Sequence, residues 1–502
     1  MSANYILAID SGSSSARAVI IDAEGRTVGQ ASRPIDALLF PKPGWVELSP
    51  ADLWDAPKAC IDEAMKTANL SAKDIAAVGV TTHRESIVMW DRKTGVPIHN
   101  VVMWMSKQTD EIVAEWSAKG LDQEFRRRTG VRNDSYFSAA KIIWLLRNVP
   151  GARERAERGE LAIGTPDVWL LWNLTGGTAH KIDPSAASRT ALMDIHKAQW
   201  DEEFCKILDI PMELLPQIVS SSSIFGEIAE GVLPGKLAHS VPVTAMLGDQ
   251  AAGLFGQACL EPGSAKNTFG TASVLVVNVG NTPKLMDGMS TSAAWSIDGQ
   301  VTYEAEGVVF HSGQTIQWMR DKLKLFSSTQ EVESLAESVP SSNGVYFVPA
   351  FAGLCDPYWD RDVKAAVFGL TLESTSAHVA RAGVEAMAFQ TRDNVDKLRS
   401  GGIHVPELKV DGGATKNNFL CQFQADILGI PVVRPVNPER TGLGIAHLAG
   451  VAIGWWSAES ISQRWILDRT FEPRMSEDER ESIYAGWQDA VVAARSLPVR
   501  SF

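Results

Sequence analysis

Apolar and polar positions follow two rhythms along this chain. Short runs rich in β-branched residues keep returning between longer stretches whose apolar residues recur at helical spacing, the pattern of an α/β protein. Tyr5 to Ile9 and Ala18 to Ile21 are two such runs. The polar turn Asp10-Ser11-Gly12-Ser13-Ser14-Ser15-Ala16-Arg17 joins them, so a hairpin is expected. Ser49-Pro50-Ala51-Asp52 supplies a capping hydroxyl and a proline in the first turn. A helix should run from there through Leu53, Cys60, Ile61, Ala64 and Met65, with Pro57 as the place for a kink. The pattern further predicts strands at Ile75 to Val80, Val241 to Leu247 and Leu408 to Val410, and helices over Ser138 to Leu146 and from Phe419 to Gly429.

Near mid-chain a second small-and-hydroxyl turn, Lys266-Asn267-Thr268-Phe269-Gly270-Thr271-Ala272-Ser273, precedes the apolar run Val274 to Val277. Its likeness to the first turn points to two related halves facing one ligand, divided near residues 250 to 262. We expect units of 1–253 and 254–502, a division that suits a length of 502 residues.

Composition narrows the partners. The chain carries a net charge of −13 with no basic run, which makes nucleic acid a poor partner. An anionic ligand would therefore be held by local amides, a few cations or a metal. The five cysteines are scattered and lack CxxC spacing, as expected of reduced, mostly buried thiols in a cytoplasmic protein. No basic leader and no run of about 18 apolar residues occurs, so neither secretion nor membrane insertion is expected. The nine histidines never take a paired ligand spacing, and no protein-built zinc or iron site is expected.

Four places carry candidate chemistry, each with a plainer reading beside it. Asp10 to Arg17 is either a surface hairpin or a phosphate cradle, in which Ser13, Ser14 and Ser15 donate and Arg17 adds positive charge. It is not a GxxxxGK loop. Asp411-Gly412-Gly413-Ala414 is either a packing glycine pair or a place where a ligand approaches the backbone. Asp249 follows a strand, as a helix cap or as a group placed for chemistry at a strand's carboxyl end. Arg84-Glu85 follows another strand, where the plain reading is a surface ion pair. Trp104 and Trp144 read as core.

Taken together and in order, these pieces resemble the FGGY carbohydrate kinases, and within them the glycerol kinases, over nearly the whole length. The matching stretches include DSGSSSARAVIID, PKPGWVE, HRES, GTPDVWLLW, GDQAAGLFGQ, AKNTFGT, GVYFVPAFAGL and VDGGATKNNFLCQFQADILG. The resemblance implies two ribonuclease H-like domains of the actin and hexokinase type, with ATP and a polyol meeting in the cleft between them. It implies that Ser13, Ser14, Ser15 and Arg17 hold the phosphates and that Thr271, Gly313, Gln317, Gly413 and Asn417 contact the nucleotide. Arg84, Glu85, Trp104, Tyr136, Asp249 and Gln250 would bind the polyol, Asp10 and Asp249 would face Mg²⁺, and Asp249 would be the catalytic base. A homodimer or homotetramer is also common in the family.

The chain departs from the glycerol kinase pattern around the acceptor. His83 stands where glutamine is usual, Met105-Ser106-Lys107-Gln108 replaces a stretch with paired arginines, and Val274 replaces an aromatic wall. A smaller wall opens room for a four-carbon or larger polyol such as erythritol or threitol, or for a pentulose. An actin-like ATPase that transfers no phosphoryl group to a metabolite is the rival from another class.

Overall fold

The computed structural model describes residues 3–497. The first hairpin forms as expected, from β1 (Tyr5–Ser11) and β2 (Ser15–Asp22), with Ile9 opposite Ala18 and Asp10 opposite Arg17. It seeds a six-stranded sheet with β3 (Thr27–Pro34), β4 (Ile75–Thr82), β5 (Ser222–Glu227) and β6 (Pro242–Gly248), in the order β5-β6-β4-β1-β2-β3. β1, β4 and β6 run parallel. Ile6, Leu7, Ala8 and Ile9 are all buried because both faces of β1 are covered, which is why the strand reads as an unbroken apolar run. Helix α1 (Pro50–Thr67) packs over β1, β2 and β3, and Ser49 caps it by accepting from the Ala51 amide at 3.2 Å. Helix α2 (Ser138–Asn148) forms where expected, with its apolar residues buried.

The second half begins with the second expected hairpin, β7 (Ala265–Phe269) and β8 (Ser273–Gly280). It is joined by β9 (Ser290–Ile297), β10 (Gln300–Val309), β11 (Leu408–Asp411), β12 (Val432–Pro435) and β13 (Leu467–Phe471). The order is β9-β10-β8-β7-β11-β12-β13, with β7, β11 and β12 parallel and the rest antiparallel to their neighbours. Each half is thus a hairpin, a third antiparallel strand outside it, two parallel strands on the other side and an antiparallel edge. The second half adds only β9. This doubled topology matches the pair of ribonuclease H-like units that the resemblance implied.

The halves exchange helices. α3 (Asp249–Gly256) leaves the end of β6 and packs on β7, β8 and β9 of the second sheet, whereas α7 (Arg440–Ala452) of the second half lies over β1, β4 and β6 of the first. The two helices cross against each other. α4 (Gly313–Asp321), α5 (Ser376–Ser400) and α6 (Asn418–Leu428) surround the other face of the second sheet. All five cysteines are buried and unpaired, and no helix among the described residues is long and apolar enough to cross a membrane.

Candidate active site

The two hairpin turns and the ends of β4 and β6 face one cleft. In the first turn the Gly12 amide donates to the Ser15 carbonyl at 2.9 Å, closing a tight loop that leaves Ser14 exposed and Ser13 half-buried. Ser13 Oγ accepts from the indole N–H of Trp104 at 2.8 Å, so Trp104 stands at the cleft rather than deep in the core. Trp144, by contrast, is buried. Arg17 points from β2 toward the second half, where it is ion-paired with Glu439 just before α7.

Arg84 and Glu85 correct the expectation of a surface pair: they are 4% and 2% exposed. They follow β4 in a turn where Glu85 adopts a φ of 64°, and the Ser138 hydroxyl at the start of α2 donates to the Glu85 carbonyl at 3.0 Å. Arg84 runs past Gly248, where a Cβ would come within 2.5 Å of its Cδ, and places Nε 3.3 Å from Asp249 Oδ1. Its Nη2 donates to Glu306 Oε2 at 2.5 Å. Asp249 is the first residue of α3 with Gly248 as the cap, so the helix-cap reading is also corrected. Gln250 Oε1 accepts from Lys266 Nζ at 2.5 Å. Tyr136 closes the side: its ring meets Trp104 edge-on with centroids 5.4 Å apart, and burial raises its phenol well above the ordinary range. The loop carrying Tyr136 is held from behind by Lys141, whose Nζ donates to the carbonyls of Ser135, Tyr136 and Phe137 at 2.6, 2.8 and 2.9 Å. Burial pushes that ammonium down to about 7.

On the other side of the cleft the second turn meets α4 and the segment after β11. The Gly313 amide donates to the Gly270 carbonyl at 3.0 Å, and a Cβ on Gly412, whose φ is +87°, would sit 2.5 Å from the Phe269 carbonyl. Gly412 and Gly413 do not open directly into a helix. A short 3-10 turn, Gly413–Lys416, intervenes, and Asn417 then caps α6 by accepting from the Leu420 amide at 2.9 Å. A cavity of about 510 Å³ lies here, lined by Thr271, Gly313, Gln317, Gly413 and Asn417, with Ile316, Val384, Met387 and Leu420 as apolar walls. Such walls suit a flat ring, and the Gln317 and Asn417 side chains beside them suit polar substituents.

Comparison with known proteins decides the family. Residues 5–256 match the N-terminal domain, and residues 265–453 the C-terminal domain, of the FGGY family of carbohydrate kinases. The chain belongs to this family. It is 46% identical over 502 residues to a glycerol kinase of Xanthomonas campestris, covering 99% of this chain and 100% of that one. It is 45% identical over 496 residues to glycerol kinase 2 of Thermotoga maritima, covering 98% and 99%. The crystal structure of Plasmodium falciparum glycerol kinase with ADP superposes with a TM-score of 0.91 at 33% identity, over 99% of both chains. The fold is the two-domain FGGY kinase fold, and the chain is a phosphotransferase with an alcohol group as acceptor.

Four charged groups of this FGGY site escaped sequence reading. Arg189, Lys266, Glu304 and Glu306 are each no more than 1% exposed. Arg189 Nε donates to Glu85 Oε1 at 2.6 Å, its Nη1 to Ser292 Oγ at 3.0 Å, and its Nη2 lies 2.7 Å from Glu306 Oε1. The available signal was β10 itself, Gln300–Val309, whose two acids lie two residues apart on one face, interleaved with Tyr303, Ala305 and Gly307.

Asp10 sits half-buried at the end of β1, with no hydrogen bond to its carboxylate among the described residues. Desolvation pushes it up to about 7 against the pull of Arg17, and the charge of Asp249 adds to the rise. Two carboxylates that repel each other beside the first hairpin turn are hard oxygen donors, a set that fits Mg²⁺.

Proposed function

We propose that the protein transfers the γ-phosphoryl group of ATP to a terminal hydroxyl of a small polyol, with glycerol as the first-choice acceptor and glycerol 3-phosphate as product. The observation that carries this reading is Asp249, which starts α3 at the end of β6, 3.3 Å from Arg84 and within electrostatic reach of Asp10, while its neighbour Gln250 is bonded to Lys266 on β7. Full-length similarity to glycerol kinases supports the same acceptor.

In this reading residues 1–253 form the polyol and phosphate domain and 254–502 the nucleotide domain. The adenine and ribose occupy the cavity around Gln317, Gly413 and Asn417. Ser13, Ser14, Ser15 and Thr271 donate to the phosphates from the two turns, and Arg17 leaves Glu439 to join them. Phosphoryl transfer passes through a loose transition state that needs in-line placement and charge neutralisation more than covalent help. Arg84, Glu85, Gln250, Tyr136 and the edge of Trp104 orient the alcohol. Asp249 accepts its proton as the O–P bond forms. Asp10 and Asp249 would hold Mg²⁺, which neutralises phosphate charge when bound. Closure of the halves keeps water, the competing nucleophile, from the reaction. Five buried thiols suit a reducing cytoplasm.

A second acceptor reading rests on Val274, half-buried on β8. Its small side chain leaves room for a four-carbon polyol. ADP release measured over glycerol, erythritol, threitol and xylulose tests both readings, and hydrolysis indifferent to every alcohol would revive the ATPase alternative. Asp249→Asn should lower turnover by about 10²–10⁴-fold while ADP still binds. Turnover at the parental rate would remove Asp249 as the base.

A further inference from the structure

A buried carboxylate normally collects hydrogen bonds, because burial strips away those it had in water. Glu304 does not. Its side chain is fully buried on β10, yet among the described residues neither oxygen receives a hydrogen bond. It is not isolated from charge: Arg84 Nη1 stands 3.5 Å from Oε1, beyond hydrogen-bonding reach, and that Nη1 is itself without a hydrogen-bond partner. Glu306, two residues along the same face, already has Arg84 Nη2 and Arg189. The unmet acceptor and the unmet donor therefore stand side by side in a buried ion pair, one on each half of the molecule. Burial raises the pKa of Glu304 despite Arg84, as expected of a carboxylate short of donors.

A hydroxyl group donates and accepts at once. Two atoms 3.5 Å apart leave no room between them, but a hydroxyl oxygen seated to one side, about 2.8 Å from Arg84 Nη1 and from Glu304 Oε1, would satisfy both. A ketone in that place can accept from Arg84 but offers nothing to an ionised Glu304, and a carboxylate adds a like charge to a region already holding Glu85, Asp249 and Glu306.

We propose that Glu304 is a specificity-determining residue that, paired with Arg84, reads one hydroxyl of the acceptor and so selects polyols over ketoses and sugar acids. This rests on the reading of Arg84 as an acceptor-binding residue, and it adds a group from the second half to the acceptor site. Because Arg84 and Glu304 belong to different halves, recognition of that hydroxyl spans both.

The test is a cycle between protein and acceptor, assayed at pH 8 with wild type, Glu304→Gln and Glu304→Ala. The acceptors are glycerol and its two deoxy analogues, 1,2-propanediol and 1,3-propanediol, with dihydroxyacetone and glycerate as the carbonyl and carboxylate analogues. In the wild type the analogue lacking the hydroxyl that Glu304 reads should lose about 10- to 100-fold in kcat/KM, the loss expected for one hydrogen bond to a charged group. In Glu304→Ala that additional loss should shrink at least about fivefold, because the partner is already gone. Glu304→Gln should narrow the preference for glycerol over glycerate by about 10-fold. The cycle cancels any general damage to the fold, and ADP binding reports that the nucleotide half is intact. Losses that simply multiply, for both deoxy analogues, overturn the proposal. If the variants do not fold, a wild type that handles both deoxy analogues and dihydroxyacetone within twofold of glycerol overturns it equally. A wild type that phosphorylates no alcohol while binding ADP defeats instead the function proposed above.

Discussion

A desolvated carboxylate that accepts no hydrogen bond among the described residues is costly to ionise, and Asp10 is such a group despite the pull of Arg17. Its folded pKa of about 7 lies above the ordinary value of 3.8. The folded protein therefore keeps a proton that the unfolded chain gives up, and the stability this confers is present at low pH and lost as pH rises toward 7. Asp10→Asn should accordingly raise the ligand-free Tm by a few degrees at pH 8, with the difference vanishing near pH 4, while Mg²⁺-dependent turnover falls. Thermal melts across pH, paired with turnover at varied Mg²⁺, check both halves of this expectation. At this scale the residue types were legible: an aspartate after an apolar strand and serines in a tight turn can be seen without coordinates. The burial of Arg84 was not, because an arginine beside a glutamate looks the same whether water or protein surrounds it.

The crossing of α3 and α7 sets where Asp249 stands. The helices touch at backbone level through Gly256, where a Cβ would collide with the Arg440 carbonyl, and Gly444, where one would collide with the Ala252 carbonyl. Neither glycine is tolerant of a methyl group, and the strand-to-helix turn that carries Asp249 moves with α3. Gly444→Ala should destabilise by about 1–3 kcal/mol through overpacking and reduce kcat. Gly442→Ala is the control on the same helix: a Cβ there meets only Val19 Cγ2, at 3.5 Å. It should be neutral or stabilising by up to about 1 kcal/mol. Denaturant melts and kcat on the pair separate crowding at the crossing from a general effect of replacing helical glycine. Strands, hairpins and the start of α1 could be read from alternation and capping, since these signals lie within a few residues. The glycines of α3 and α7 gave no hint of their partners, which lie about 190 residues away.

At the scale of the molecule, a latch joins the halves beside the cleft. Arg132 Nη2 donates to Asp356 Oδ1 at 2.8 Å, and its guanidinium stacks 3.8 Å from the Trp359 ring centroid. The Trp359 indole donates to Asp134 Oδ2 at 3.0 Å, and Arg361 pairs with Asp134. Desolvation pushes Asp356 up to about 6 against the pull of Arg132, so removing Arg132 leaves a buried acid whose ionisation costs more. Arg132→Met should lose about 3 kcal/mol at pH 7.5 and less at pH 4.5, where the folded carboxyl is protonated in wild type and variant alike. With the halves less firmly held, KM for the acceptor should rise several-fold, and small-angle scattering should report a wider particle in the presence of ligands.

By itself the sequence determined the alternation of strands and helices and the two polar hairpin turns, because each depends on neighbours close along the chain, while the residues that line the cavity were named by family resemblance. Only the tertiary structure decided the acceptor side. Arg84, Arg189, Lys266, Glu304 and Glu306 come from segments up to 222 residues apart. Their charges gain meaning from being removed from water together, and the strength of a buried charge depends on which opposite charges and donors the fold brings within a few ångströms.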